Sequence, residues 1–216
     1  MTGSKVQVTP ISVVDAVAAS LRTRILDGEF AAGQTIRDVE LAAAYAVARP
    51  TIRAAVAQLT MTGLLRREAN RSAVVPGLSA DDTRDLYEAR QLVEAEAARR
   101  AAAGRLDVSA VETALGRLER TGDDDPWSSI VEADLDFHRA LVAAAGSARL
   151  LRLFALLEDE IRLALAQLRP AYASRGPLVA EHRELLQMVR AGDPDVAADG
   201  VRAHLAQALS DLGLAG

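Results

Sequence analysis

The chain has no cysteine, which excludes both a disulfide framework and a zinc site built on thiolates; any metal must be held by nitrogen and oxygen ligands. Aromatic residues are scarce, 3% against 50% hydrophobic, so the apolar content is mostly Ala and Leu. That balance favours close-packed helices over sheets or aromatic stacking surfaces. No uninterrupted apolar run approaches the roughly 18 residues of a membrane span, and the opening MTGSKVQVTP lacks the apolar core of a signal peptide. We expect a mainly α, cytoplasmic protein with no membrane partner. Histidine is scarce too, with three in 216 residues.

That length suits two modest domains. The net charge of -5 is unevenly spread: residues 1–76 hold nine Lys/Arg against six acids, leaving an excess of eight negative charges beyond. A basic first part and an acidic second part is the asymmetry expected when only the first meets a phosphate backbone, although ordinary surface variation gives the same small excess.

Helical spacing runs through Ser12 to Asp27, with Val13, Val17, Leu21 and Ile25 on one stripe and Gly28 as a stop. After the turn GEFAAGQ, a short helix spans Val39 to Tyr45 and a third runs from Arg49 to Met61 with Ile52, Val56 and Leu59 inward. The following LLRREANRSAVVP alternates around an Asn-Arg-Ser turn and reads as a small hairpin. Helix, short helix, helix, hairpin is the order of a winged helix-turn-helix. Beyond Ser79 there is no strand pattern; six helices are expected at about 79–103, 107–121, 126–145, 148–169, 176–191 and 194–213. Ser79, Asp125-Pro126 and Asp193-Pro194 supply N-caps, and Gly104, Gly146 and Gly192 mark ends. The fold expected is thus a winged helix-turn-helix over 1–76, then an all-α six-helix bundle over 77–216.

The run GQTIRDVELAAAYAVARPTIRAAVAQLTMTGLLRREANRSAVV resembles the winged helix-turn-helix of the GntR family, in its FadR-like branch. Its recognition-helix pattern falls on Val47, Ala48, Arg49, Pro50, Thr51, Ile52 and Arg53. Arg49 and Arg53 lie four apart on one face near the helix N-terminus, where guanidinium forks reach guanine edges and phosphates in the major groove of double-stranded operator DNA. Thr51 adds a phosphate or base contact, and the resemblance implies a backbone or minor-groove contact for Arg71 at the wing tip. Any one exposed arginine on a helix is otherwise simply solvated. The chain departs from the family at Ala46, where a turn glycine is usual, and at Ala48, where a capping serine is usual. It departs again at Ser72, a wing glycine elsewhere, and at Val39, an arginine elsewhere, for which Arg37 is a substitute.

Each histidine falls on the apolar stripe of an expected helix: Asp134 and His138 with Val131 and Leu141, His182 with Leu178, Leu185 and Val189, His204 with Val201 and Ala208. His182 lies ten residues before Gly192 and His204 twelve after, so an antiparallel hairpin sets them at nearly one height. One such histidine is ordinarily a hydrogen-bonded core residue; three with an aspartate form a ligand set for one divalent ion, zinc by default and nickel, manganese or iron as alternatives. A buried Asp134 needs a partner in any case. The run EADLDFHRALVAAAGS resembles the Asp-Leu-x-Phe-His-Arg-x-Leu signature of the FCD sensor domain, with Ser147 where Asn is common, and EHRELLQMVRAGDPDVAADGVRAHL resembles its last helical pair. That resemblance carries the metal ligands onto Asp134, His138, His182 and His204. It also implies a small carboxylate effector at the open metal positions, assisted by an arginine. LYEARQLVEAEAARRAA matches its first helix and makes Arg90 the candidate, with Arg162 as a weaker one; an ion pair of Arg90 with Glu94 is the competing reading.

The function implied is a homodimeric, ligand-responsive repressor, not an enzyme. Two other readings stay open: a purely structural metal, and a metal-dependent hydrolase or lyase. The last lacks HExxH or a well-placed second carboxylate, since Glu181 should point off the inward face.

Overall fold

A computed structural model describes residues 12–67, 72–122, 124–167 and 176–214. They fall into two compact units, Met1–Pro76 and Gly77–Gly216.

The first unit holds α1 (Val13–Leu26), α2 (Asp38–Ala44) and α3 (Arg49–Met61). Helix α1 is capped by Ser12, whose side chain accepts from the Asp15 amide, and it ends at Gly28 with φ +83°. Leu21 and Ile25 of α1, Leu41 of α2, and Ile52, Val56 and Leu59 of α3 are buried; α1 and α2 both pack on α3. The sequence suggested a local hairpin, but the pairing reaches further. Arg66 and Val74 exchange both backbone hydrogen bonds at 2.9 Å, and the next residues also pair with 33–36: Ile36 donates to Ala73 and Val75 to Gln34. The isolated bridges are Thr35–Val74 and Arg66–Val74, and the end of GEFAAGQ, a plain turn in sequence, adds backbone hydrogen bonds of Gly33 and Gln34 with Val75. The expected wing tip with Arg71 lies outside the described residues.

The second unit contains α4 (Ala80–Gly104), α5 (Ser109–Arg120), α6 (Trp127–Ala144), α7 (Ala148–Gln167), α8 (Gly176–Ala191) and α9 (Pro194–Asp211). Ser79 forms a full capping box with Asp82, and the Asp193 carboxylate accepts from the amides of Asp195 and Val196 with Pro194 at the first helical position. The cap expected at Asp125 is not made. Pro126 is the boundary residue of α6, and the Asp125 carboxylate instead accepts from the Gly122 amide at 2.7 Å. Nor does Gly104 itself take the left-handed stop: Arg105 does, with φ +44°, while a Cβ on Gly104 would meet Leu106 at 3.0 Å. Alanine is what lets the helices approach. Ala95, Ala98, Ala101 and Ala102 of α4 form one buried cluster with Ala197, Ala198, Val201, Leu205 and Ala208 of α9. On the other side, Leu86, Val93 and Ala97 of α4 join Val131, Leu135 and Val142 of α6 and Phe154, Ile161 and Ala164 of α7. Helices α8 and α9 pack against each other at Gly200, where an added Cβ would run into the Met188 sulfur. Among the described residues no helix is long and apolar enough to cross a membrane.

The turn between α2 and α3 shows a local cost. Ala46 is held at φ +51°, a conformation glycine adopts freely, and Ala48 stands at the N-cap of α3 without a side-chain acceptor. Ala46→Gly should stabilise the first unit by about 0.5–1 kcal/mol, the left-handed penalty less the entropy of glycine. Ala48→Ser should add about 1 kcal/mol through the missing cap. Urea unfolding checks both, and an unchanged or lowered midpoint in both would contradict this reading of the turn.

Candidate metal centre and DNA-reading helix

In the second unit, α6 carries Asp134 and His138, α8 carries His182 and α9 carries His204, and all four side chains are buried. The α8–α9 hairpin brings His182 and His204 to a ring separation of 4.7 Å, and His138 stacks on His204 at 5.3 Å. One ligand atom from each ring lies within 4.8 Å of the others. Asp134 adjoins two of them, its Oδ1 at 3.0 Å from His182 Nε2 and 3.9 Å from His138 Nε2.

What stands behind the rings decides which nitrogen faces inward. His138 Nδ1 is 2.5 Å from Glu94 Oε2, His182 Nδ1 is 2.7 Å from the Leu178 carbonyl, and His204 Nδ1 is 3.0 Å from Glu181 Oε2. Each acceptor fixes the proton on Nδ1, leaving Nε2 as the free donor atom, the arrangement that orients metal-bound imidazoles. His138 Nε2 and His182 Nε2 stand 3.3 Å apart. Two lone pairs at that distance repel unless a proton or a cation lies between them. Burial, and then the neighbouring His182 and His138, push His204 well below its ordinary value, so it presents a neutral ring. Burial alone would raise Asp134, but the His182 contact and the neighbouring His138 outweigh it and hold the carboxylate ionised, well below its usual range. Three imidazoles, each oriented from behind, and one carboxylate suit a borderline divalent ion.

Glu94 and Arg90 lie one turn apart on α4, both fully buried. Arg90 Nε donates to Glu94 Oε1 at 2.9 Å, so the ion pair of the competing reading is present. It does not saturate the guanidinium: Nη2 is buried with no hydrogen-bond partner. Burial would raise Glu94, yet His138 and Arg90 beside it hold it at about 2. A cavity lined by Tyr87, Arg90, Trp127, Asp134, His138 and His204, among apolar neighbours, places Arg90 beside the histidines. Arg162 does not line this cavity; its guanidinium is held by Glu132 at 2.6 and 3.0 Å, with Glu158 and Asp159 nearby.

Sequence reasoning misplaced Glu181. It does not point off the site but backs His204, and burial, opposed by His182 and helped by Asp134, raises its carboxyl. Its signal was its place beside His182 on a helix whose partner carries His204. In sequence Glu94 offers only a mate for Arg90 at i+4, although a carboxylate inside an alanine stripe already asks for buried partners.

In the first unit, Arg49 opens α3 and is exposed, Thr51 is half-buried, and Arg53 is exposed with its Nε 3.3 Å from Asp38 of α2. Arg37 is exposed and pairs with Glu40 at 3.2 Å. Exposed pairs of this kind contribute about 0–1 kcal/mol and release their arginines readily to a phosphate.

Residues 85–207 match the FCD domain, and residues 13–75 match bacterial regulatory proteins of the gntR family. The HTH-type transcriptional regulator BphR of Paraburkholderia xenovorans strain LB400 is 29% identical over 92% of this chain and 84% of that protein. A protein of Paenarthrobacter nicotinovorans named probable D-xylose utilization operon transcriptional repressor is 26% identical over 95% of this chain and 91% of its own length. Among solved structures, a transcriptional regulator GntR from Rhodococcus sp. RHA1 superposes with a TM-score of 0.82 at 28% identity, covering 95% of this chain and 100% of that one. These relatives are transcriptional regulators, which are not enzymes, so the hydrolase or lyase reading falls. The chain belongs to the GntR family of bacterial transcriptional regulators, with a helix-turn-helix unit followed by an all-helical FCD domain.

Proposed function

We propose that this regulator is a cytoplasmic, homodimeric repressor whose binding to double-stranded operator DNA is modulated by a small organic acid, taken up at a divalent-metal site made by Asp134, His138, His182 and His204. One observation carries the reading: His138, His204 and Asp134, with His182 Nε2 3.0 Å from the Asp134 carboxylate, line the same cavity as Arg90, whose buried Nη2 has no partner. The donor set is nitrogen and oxygen throughout, which makes zinc the default ion with nickel, manganese or iron as alternatives. Bound there, the ion supplies a Lewis-acid position for a carboxylate oxygen. Arg90 Nη2 supplies a charge-assisted donor for the same anion, and Tyr87 holds that guanidinium in place with its ring 4.7 Å away. An orphaned donor in the cavity favours a sensing site over a purely structural ion, which would need no such group.

Arg49 and Arg53 read the major groove, Thr51 adds a phosphate or base contact, Arg37 stands in for the family's arginine at Val39, and Arg71 meets the backbone or the minor groove. Two heads are needed to span half-sites about one helical turn apart or a multiple of it. Leu92 of α4 and Leu153 and Leu156 of α7, exposed on the single chain, supply apolar area for the dimer contact within residues 77–216. The acid acts only through its differential affinity for the two states of the dimer. Repression itself rests on likeness to the D-xylose operon repressor.

Elemental mass spectrometry of purified protein should find about one divalent ion per chain, lost in His138→Ala and His182→Ala while circular dichroism stays helical. No metal in chelator-free wild type would overturn the ligand assignment. On an operator duplex selected from a randomised pool, Arg49→Ala should weaken binding by about 1–3 kcal/mol and relax base preference at one position per half-site. Unchanged affinity would remove Arg49 from the interface.

A further inference from the structure

The buried carboxylate of Glu94 has its two oxygens committed to different partners. Oε1 accepts from Arg90 Nε at 2.9 Å, and Oε2 accepts from His138 Nδ1 at 2.5 Å. Arg90 and Glu94 sit on α4 and His138 on α6, so this one side chain ties the cavity-lining guanidinium to the back of an inward-facing imidazole across two helices. His204 also has a carboxylate behind it, but Glu181 lies on α8 and is not joined to Arg90.

We infer that Glu94 is a positioning residue that couples the two halves of the sensing site: Arg90, where an anion is held, and His138, where the metal is held. The inference rests on the proposed sensing function and adds the route of coupling within it. A carboxylate suits this place because its two oxygens separately take the two converging N–H donors, whereas an amide would set its NH2, itself a donor, against one of them. An anion drawn onto Arg90 Nη2 shifts the guanidinium that fixes Glu94, and Glu94 in turn sets the orientation and basicity of His138. By linkage, whatever the anion does to metal affinity the metal does to anion affinity. Burial keeps the arrangement stiff: Arg90 and Glu94 side chains are 2% and 0% exposed, so neither turns to water for an alternative partner.

The test is a double-mutant cycle read by zinc affinity, measured on the full chain by competition with a chromophoric chelator, with no effector present. Glu94→Gln should lower zinc affinity by about 10- to 100-fold, as loss of an outer-shell carboxylate does. Arg90→Gln, which touches no ligand atom, should also lower it, and the two effects should be non-additive by about fivefold or more. Arg90→Gln with Glu181→Gln should be additive within about twofold, since Glu181 supports a ring outside the relay. A general loss of packing would affect both cycles alike. Should Glu94→Gln fail to fold, Glu94→Asp carries the test. It keeps the buried charge but is one methylene shorter and cannot reach both partners, so Arg90→Gln should lose most of its effect in that background. Additivity in the Arg90/Glu94 cycle, or zinc affinity indifferent to Arg90→Gln, overturns the relay and leaves the metal site standing. Wild type that takes up no zinc overturns both.

Discussion

The FCD unit depends on three hydrogen bonds made behind its imidazoles. Glu94, the Leu178 carbonyl and Glu181 each accept from an Nδ1, and each therefore turns an Nε2 toward the same point between α6, α8 and α9. Without those acceptors the rings would choose tautomer and rotamer by local packing, and three nitrogens within 4.8 Å would not share one direction. The packing is arranged around this. Phe137 meets the His182 ring edge-on at 4.7 Å, and alanine-lined contacts between α4 and α9 bring α4, with its Arg90 and Glu94, close to the helix that carries His204.

Charge burial on this scale is costly. Arg90, Glu94 and Asp134 are all below a tenth exposed, and a buried ion without compensation costs several kcal/mol, about as much as a domain's whole stability margin. Glu94 is compensated twice over, by Arg90 and His138, which is why it stays ionised at about 2 despite its burial. Asp134 leans on His182 and His138, and Arg90 keeps one nitrogen unsatisfied. A cluster so poorly matched to stability as a goal is easier to understand as a binding site, where incoming ligands supply the missing partners.

Much of the fold was legible because its signals are local. Helical stripes, the Ser79 capping box and the Asp193-Pro194 start are all written within a few residues, and all three appear in the structure. Asp125 carries the same Asp-Pro signature but turns back to the Gly122 amide, a competition between two nearby donors that spacing does not decide. The pairing of Ala73 and Val75 with residues 34–36 is a contact between distant segments, and nothing in GEFAAGQ announces it. In the site, the histidines were legible because they are few and each sits on an apolar stripe. Glu94 and Glu181 were not, because glutamate on a helix is ordinarily solvated and only the helix arrangement shows which ring each one backs. Arg162, the weaker candidate in sequence, has its fork held by Glu132 and does not line the cavity.

The most direct test of the account is the visible absorption spectrum of the cobalt-substituted protein, recorded before and after addition of acetate as a simple carboxylate. Three inward imidazoles and Asp134 around an accessible position predict d–d bands distinct from aqueous cobalt, shifting on acetate in wild type and losing that response in Arg90→Gln. A spectrum no different from free cobalt would contradict the assembled ligand set; bands that form but ignore acetate would leave the ion structural and the sensing role without a site.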